Sequence, residues 1–308
     1  QIAERQAAGG GLTTPEFAVL LAYTKTTNIG LMVDSNLPDD PYLEPELFRY
    51  FPTPLREPYA EQIRRHRLRR EIVATQVGNQ MVNVSGISFD HRITEDTGVG
   101  VVDVTRAWVA ARDVFEAMKW WERIEDLGAE VRLDVQVELF LELRRLLERG
   151  VLWVLRHRRP PVSIADIVGR FREPMGRIAA LHDEVLMGRM RDVTFALEAS
   201  RLAAGVPEDL AQRSAMWPLL HTAFDVIEQA ERRGLDVAAV ARTYWQVFDA
   251  VDVGWLRDAL GALPRSDRWQ TQARSALRDD LLAVLAELTD DAVDAGSVEL
   301  WRSSNDRS

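Results

Sequence analysis

Five histidines, His66, His91, His157, His182 and His221, are the first residues with catalytic or metal-binding potential. No two lie one helical turn apart, so the paired imidazoles of a helical zinc site are missing. His182-Asp183-Glu184 and His221 with Asp225 set an imidazole near a carboxylate, an arrangement that more often serves as an ordinary hydrogen bond. The sequence has no cysteine, which excludes disulfides, thiolate metal sites and a cysteine nucleophile. It has no Gly-x-Ser-x-Gly elbow and no phosphate-cradling Walker loop. Thr97-Gly98-Val99-Gly100 contains a Gly-x-Gly, but position 103 is Asp rather than a third glycine. With no strand-helix-strand unit around it, this reads as a helix entry. The acidic pairs Asp39-Asp40, Asp279-Asp280 and Asp290-Asp291 are adjacent in sequence. Adjacent residues of a helix point in different directions, so these pairs read as solvated faces rather than acid/base dyads. No catalytic, cofactor-binding or metal-ligating residue is therefore assigned.

The most unusual local feature is basic, Arg64-Arg65-His66-Arg67-Leu68-Arg69-Arg70. Over two helical turns its charges spread around the cylinder. The chain as a whole carries 38 basic against 48 acidic residues, a net charge of −10. That balance opposes nucleic acid and anionic membrane surfaces as partners. The run is expected to pair with acids such as Glu61 and Glu71 and to face another protein domain. Nine tryptophans, among them Trp120, Trp121 and Trp153, suit helix cores and interfaces.

The elements that would hold these residues are helices. Hydrophobic residues make up 46% of the 308, enough for a sizeable core. Thr13-Thr14-Pro15-Glu16 is a helix start, followed by Phe17, Leu20, Leu21 and Thr24 at helical spacing. Six prolines between Asp34 and Pro58 allow little more than a short helix near Glu46 to Tyr50. One long helix is expected over 59–84, ended by Gly86. Residues 85–100 read as irregular, with a turn or a brief extended piece. A helix starting at Asp103 or Thr105 would align Ala107, Trp108, Ala111, Val114, Phe115 and Met118. Over 131–158, Leu139, Leu143, Leu146, Leu147, Val151 and Val154 form one buried face, and Pro160-Pro161 stops it. Ser163 with Asp166 opens the next helix, Gly205 and Gly234 end later ones, and Trp217-Pro218 breaks another. Asp236 caps a helix whose apolar face runs Val237, Val240, Ala241, Tyr244, Trp245, Phe248 and Val251. A last helix is expected over about 267–288.

The fold expected is all-α, a multi-helix bundle of roughly ten to twelve helices. Two sub-bundles, 13–159 and 160–289, would follow a flexible lead over 1–12 and precede an acidic, frayed tail over 290–308. The polar opening and Gly9 to Gly11 suggest a chain cut from something longer. No apolar run reaches the length of a membrane span.

Several long strings resemble the large bacterial NAD-specific glutamate dehydrogenases. They are Gly11-Leu12-Thr13-Thr14-Pro15-Glu16-Phe17-Ala18-Val19-Leu20-Leu21-Ala22-Tyr23 and His66-Arg67-Leu68-Arg69-Arg70-Glu71-Ile72-Val73-Ala74-Thr75-Gln76. Asn79, Val82-Asn83, Gly86-Ile87-Ser88-Phe89 and Arg106-Ala107-Trp108 follow at similar spacing. Gly254-Trp255-Leu256-Arg257, Leu263-Pro264, Arg268-Trp269 and Ala276 to Leu281 resemble the family's closing segment. Thr14, Gly78 and Val84 depart from the Arg, Ala and Arg usual in the family.

The resemblance implies a C-terminal helical region that follows the catalytic domain. It also implies a parent that deaminates L-glutamate oxidatively to 2-oxoglutarate and ammonium with NAD. The family's glycine-rich, lysine and dinucleotide-binding motifs belong upstream, so NAD is expected in the parent and no cofactor here. The expected role is support of the catalytic domain or of subunit assembly in a cytoplasmic homo-oligomer. Its candidate interdomain contacts are His66, Arg69, Arg70, Asn79, Asn83 and Trp108. The alternative is a free-standing helical adaptor or ligand-binding module.

Overall fold

The computed structural model describes residues 5, 7, 9–264 and 268–305. The first four residues of the expected lead, the expected helix start at Asp267 and the last three residues of the acidic tail lie outside that range. Every regular element among the described residues is helical, and the count, eighteen α-helices, exceeds the expectation. Part of the excess comes from short helices of four to seven residues.

In chain order these are α1 (Thr14–Val33), α2 (Glu44–Tyr50), α3 (Thr53–Arg56), α4 (Ala60–Arg64), α5 (Arg69–Ser85), α6 (Phe89–Thr97), α7 (Val101–Val114), α8 (Ala117–Glu125) and α9 (Leu133–His157). Then follow α10 (Ile164–Ala180), α11 (His182–Val185), α12 (Gly188–Ala203), α13 (Glu208–Leu220), α14 (Ala223–Arg233), α15 (Val237–Ala250), α16 (Val253–Ala262), α17 (Arg268–Asp294) and α18 (Val298–Asn305). Two 3₁₀ turns, Leu37–Asp39 and Pro41–Leu43, bridge α1 to α2.

The long helix expected over 59–84 is two helices, α4 and α5, separated at residues 65–68. Four arginines within Arg64 to Arg69 would repel one another on successive turns of a continuous helix. At the break, His66 Nδ1 accepts the Leu68 N–H at 3.2 Å. The stretch 85–100 is also more regular than expected. Gly86 (φ +91°) and Gly98 (φ +72°) bracket α6, which is too short to show a period in the sequence. Pro218 does not end α13, which continues to Leu220. Pro218 lacks the N–H that would bond the Ser214 carbonyl, so one rung of the ladder is missing there, yet the backbone stays helical for two more residues. The acidic residues Asp290, Asp291 and Asp294 complete α17, and α18 follows, with Ala292 and Trp301 buried.

The chain divides into two compact units, 1–111 with 150–165, and 112–149 with 166–308. In the first, α5 packs against α1 and α2. Its core holds Met32, Leu43, Val77, Met81, Phe89, Ile93 and Trp108. Gly78 marks the closest approach of α1 and α5, where an added Cβ would stand 2.9 Å from Ile29 Cγ1. In the second, Phe224 meets Phe115 and Phe171 edge-on, with ring centroids 5.5 and 5.0 Å apart. There α15 packs against α11, α12, α14, α16, α17 and α18.

Candidate interdomain surface

The basic run is mostly consumed by the chain's own acids. Arg64 pairs with Glu44 and, at 2.7 Å, with Glu61, the second being one of the acids expected from sequence. Arg69 pairs with Asp39 at 2.6 Å. Arg70 also pairs with Asp39 and donates to the Val33 carbonyl at 2.8 Å and the Ser35 carbonyl at 2.7 Å. Arg70 thus caps the carbonyl end of α1, where a cation is favoured by the orphan carbonyls and the helix dipole. Arg65 and Arg67 are exposed and have no ion-pair partner among the described residues.

Asp39 and Asp40 are not merely solvated, as their adjacency suggested. Asp40 accepts from the buried Arg106, which also reaches Asn36 Oδ1 at 3.1 Å. Burying a guanidinium is tolerable because the carboxylate accompanies it. Sequence reasoning missed this pair because its members are more than sixty residues apart.

The six residues singled out from sequence all fall in the first unit, but not on one surface. His66 is half-buried against the edge of Phe51, with ring centroids 5.7 Å apart. With Phe51, Leu55, Tyr59, Gln62 and Ile63 it lines an open cleft of about 340 Å³. Arg69 and Arg70 point to Asp39. Asn79 is half-buried and Asn83 exposed on α5. Trp108 is fully buried, its indole N–H donating to Ser85 Oγ at 2.8 Å.

The surface that sequence reasoning passed over is α1. Thr13 caps it, and the Glu16 carboxylate accepts the Thr13 N–H at 2.9 Å and its hydroxyl at 2.8 Å. These two bonds hold the Glu16 carboxyl below its ordinary value. Beyond the cap, Phe17, Val19, Leu20 and Tyr23 are exposed, as is Leu12 just before it. Val19 and Tyr23 keep 67% and 73% of their surface. Only Asn28 and Met32, near the far end, are buried. Contiguous exposed apolar side chains of this kind characterise interaction surfaces.

Gly98 ends α6, α7 begins at Val101, and a Cβ added at Gly98 or Gly100 would meet nothing within 4 Å. The Gly-x-Gly is thus a connection between two helices, and no strand precedes it among the described residues, unlike the strand-to-helix turn of a dinucleotide fold. Among the described residues no three His, Asp or Glu converge as metal ligands, and no helix is long and apolar enough to cross a membrane.

Comparison with known proteins is unambiguous. The family model described as "Glutamate dehydrogenase, C-terminal" matches residues 9–307. The NAD-specific glutamate dehydrogenase of Pseudomonas aeruginosa is 39% identical over 281 residues, 91% of this chain and 17% of that protein. The protein of the same name from Mycobacterium tuberculosis is 36% identical over 96% of this chain and 18% of its own length. The one from Halomonas elongata is 34% identical over 91% and 17%. The chain thus spans less than a fifth of the length of these relatives.

Proposed function

Because the chain belongs to the glutamate dehydrogenase C-terminal family, we propose that it is the helical support of a large NAD-dependent glutamate dehydrogenase. It carries no catalytic group itself. The parent would deaminate L-glutamate to 2-oxoglutarate with NAD bound elsewhere in the polypeptide, as the relatives' name indicates. This region would hold the catalytic part in place or contribute to assembly of a cytoplasmic homo-oligomer.

The observation that carries this reading is the open apolar face of α1. Phe17, Val19, Leu20 and Tyr23 lie within one of the strings that resemble the family. The whole helix has one acid, Glu16, and one base, Lys25, and charge depletion of this kind suits a permanent, core-like interface. His66, Arg69, Arg70, Asn79 and Asn83 would flank that interface. Trp108, being fully buried, would act through α5 and α7 rather than by touching a neighbour.

Replacing Val19 and Tyr23 by Asp in the full-length enzyme tests the proposal. The expected result is loss of assembly or of glutamate turnover, while the 308-residue chain carrying the same changes keeps its helical content. Full assembly and activity in the doubly substituted enzyme would overturn the supporting role. NAD-dependent glutamate turnover by the 308-residue chain alone would overturn its being non-catalytic.

A further inference from the structure

Helix α17, in the second unit, leaves one face in water over most of its length. Trp269, Ala276, Leu277, Ala283 and Val284 are exposed, at offsets of 0, 7, 8, 14 and 15. At about 100° per residue they fall within an arc of about 120°. Trp269 keeps 77% of its surface. The buried Leu285, Thr289 and Ala292 lie on the other side of the helix. A seven-residue repeat of apolar side chains is the seam by which one helix packs along another, and alanines in it let the two backbones approach. From Trp269 to Glu287 the seam is about 27 Å long.

Two acids, Asp280 and Glu287, sit within the same arc and are exposed. Their side chains make no ion pair or hydrogen bond among the described residues. The helix itself offers them no cation. Three and four positions either side of Asp280 stand Ala276, Leu277, Ala283 and Val284; around Glu287 stand Ala283, Val284, Asp290 and Asp291. No base lies in the arc. A wholly apolar partner would leave both carboxylates desolvated and unpaired, which is costly. An arginine fits instead, its methylene stem packing on Leu277 and Val284 while its fork takes the carboxylate. A second copy of the chain presents the same acids on this face and brings no cation to them.

We propose that this face of α17 docks an amphipathic helix carrying arginine or lysine opposite Asp280 and Glu287. Its source is the part of the polypeptide outside these 308 residues. The chain spans 17% to 18% of the length of the relatives it matches, so most of such a polypeptide is available to supply the helix. The inference rests on the chain being part of that larger enzyme, but not on the role given to α1.

The sequence has no cysteine, so Ala283→Cys places one thiol on the seam between Asp280 and Glu287. Its alkylation by iodoacetamide is read by mass spectrometry at that position. The thiol should react at least about tenfold more slowly in the full-length enzyme than in the 308-residue chain. Adding Asp280→Lys with Glu287→Lys should bring the full-length enzyme to within about twofold of the chain's rate. The helical content of the chain should stay unchanged, since both positions are exposed. The neutral pair Asp280→Asn with Glu287→Gln introduces no repulsion and should speed the reaction in the full-length enzyme at least about threefold. Equal rates in the Ala283→Cys enzyme and chain overturn the proposal. Protection that the neutral pair leaves unchanged also overturns it, since the occupant would then carry no bases. A rate in the chain that falls as its concentration rises overturns it in favour of a second copy. Full assembly and activity in the enzyme substituted at Val19 and Tyr23 would remove the supporting role and leave this protection standing, so the two readings fail separately.

Discussion

Helices α1 and α15 are close in composition and opposite in circumstance. Each is dominated by apolar residues and carries one acid and one base, Glu16 and Lys25 in α1, Asp249 and Arg242 in α15. Each begins at a polar cap. Yet α15 buries eight residues, from Val237 to Phe248, among six neighbouring helices, whereas α1 buries two and has α5 as its main helical partner. Apolar content therefore states that a helix must be covered but not by what. For α15 the cover lies within the chain. For α1 the described residues leave Phe17, Val19, Leu20 and Tyr23 exposed.

The largest expected difference between the two is in packing. Phe248 is buried and its ring lies 5.2 Å from that of Trp245. Phe248→Ala should cost about 4 kcal/mol, the lost transfer energy plus a cavity, measured by urea denaturation of the chain. A cost below about 1 kcal/mol would mean that the α15 interface is looser than its burial implies, and the contrast with α1 would weaken.

The next effect concerns how α1 is held at all. Its attachment is concentrated at the C-terminal end, where Arg70 binds the Val33 and Ser35 carbonyls. Arg70→Met should cost about 2 kcal/mol, since hydrogen bonds from a charged donor are lost and two carbonyls near a helix end go unmet. It should also speed amide exchange in residues 26–33 more than in α15. Equal acceleration in both helices would show that the tie is global rather than local.

The face of α15 was legible in the sequence. Val237, Val240, Ala241, Tyr244, Trp245 and Phe248 repeat at helical spacing, and all are buried, while Val251, expected on the same face, lies just past the helix end and is half-buried. The buried face of α9 was legible for the same reason. The exposure of α1 was not, because periodicity reports which residues share a face and not whether anything covers that face. The break between α4 and α5 carries no proline or glycine to announce it. It follows from the pairing of Arg64 with Glu44 and of Arg69 and Arg70 with Asp39, contacts twenty or more residues apart.

Capping gives a smaller test. Asp236 accepts the Ala238 and Ala239 N–H groups at 3.1 and 3.2 Å and the Arg177 guanidinium at 2.9 Å. Asp236→Ala should cost about 1 kcal/mol. The bond from Arg177, followed by those from the backbone, holds the Asp236 carboxyl below its ordinary 3.8. A depressed carboxyl stabilises fully above its unfolded value and loses that contribution as pH falls through the folded one. Protection of Ala238 and Ala239 from exchange should therefore be flat above about pH 5 and fall below 3.8. The Thr13 bonds place Glu16 in the same relation to its ordinary 4.5, so carboxyl titrations followed by NMR should find both groups shifted downward. A Glu16 titrating at or above 4.5 would show that the α1 cap is open in solution.

The smallest expected effect is the most informative. Val19→Ser with Tyr23→Ser removes two large apolar side chains from α1, yet both are mostly in water already, and serine differs little from valine or tyrosine in helix propensity. The pair should change the stability of the 308-residue chain by no more than about 0.5 kcal/mol. The same number of apolar groups taken from α15 would unfold it. Chain concentration provides the control. If the double substitution costs more than about 1 kcal/mol and the cost grows with concentration, then copies of the chain cover α1 in solution. If the cost is that large at every concentration, α1 packs within its own unit and the comparison with α15 fails. If there is no cost, the apolar surface of α1 contributes nothing to this chain's own folding, and the contrast with α15 stands at its sharpest.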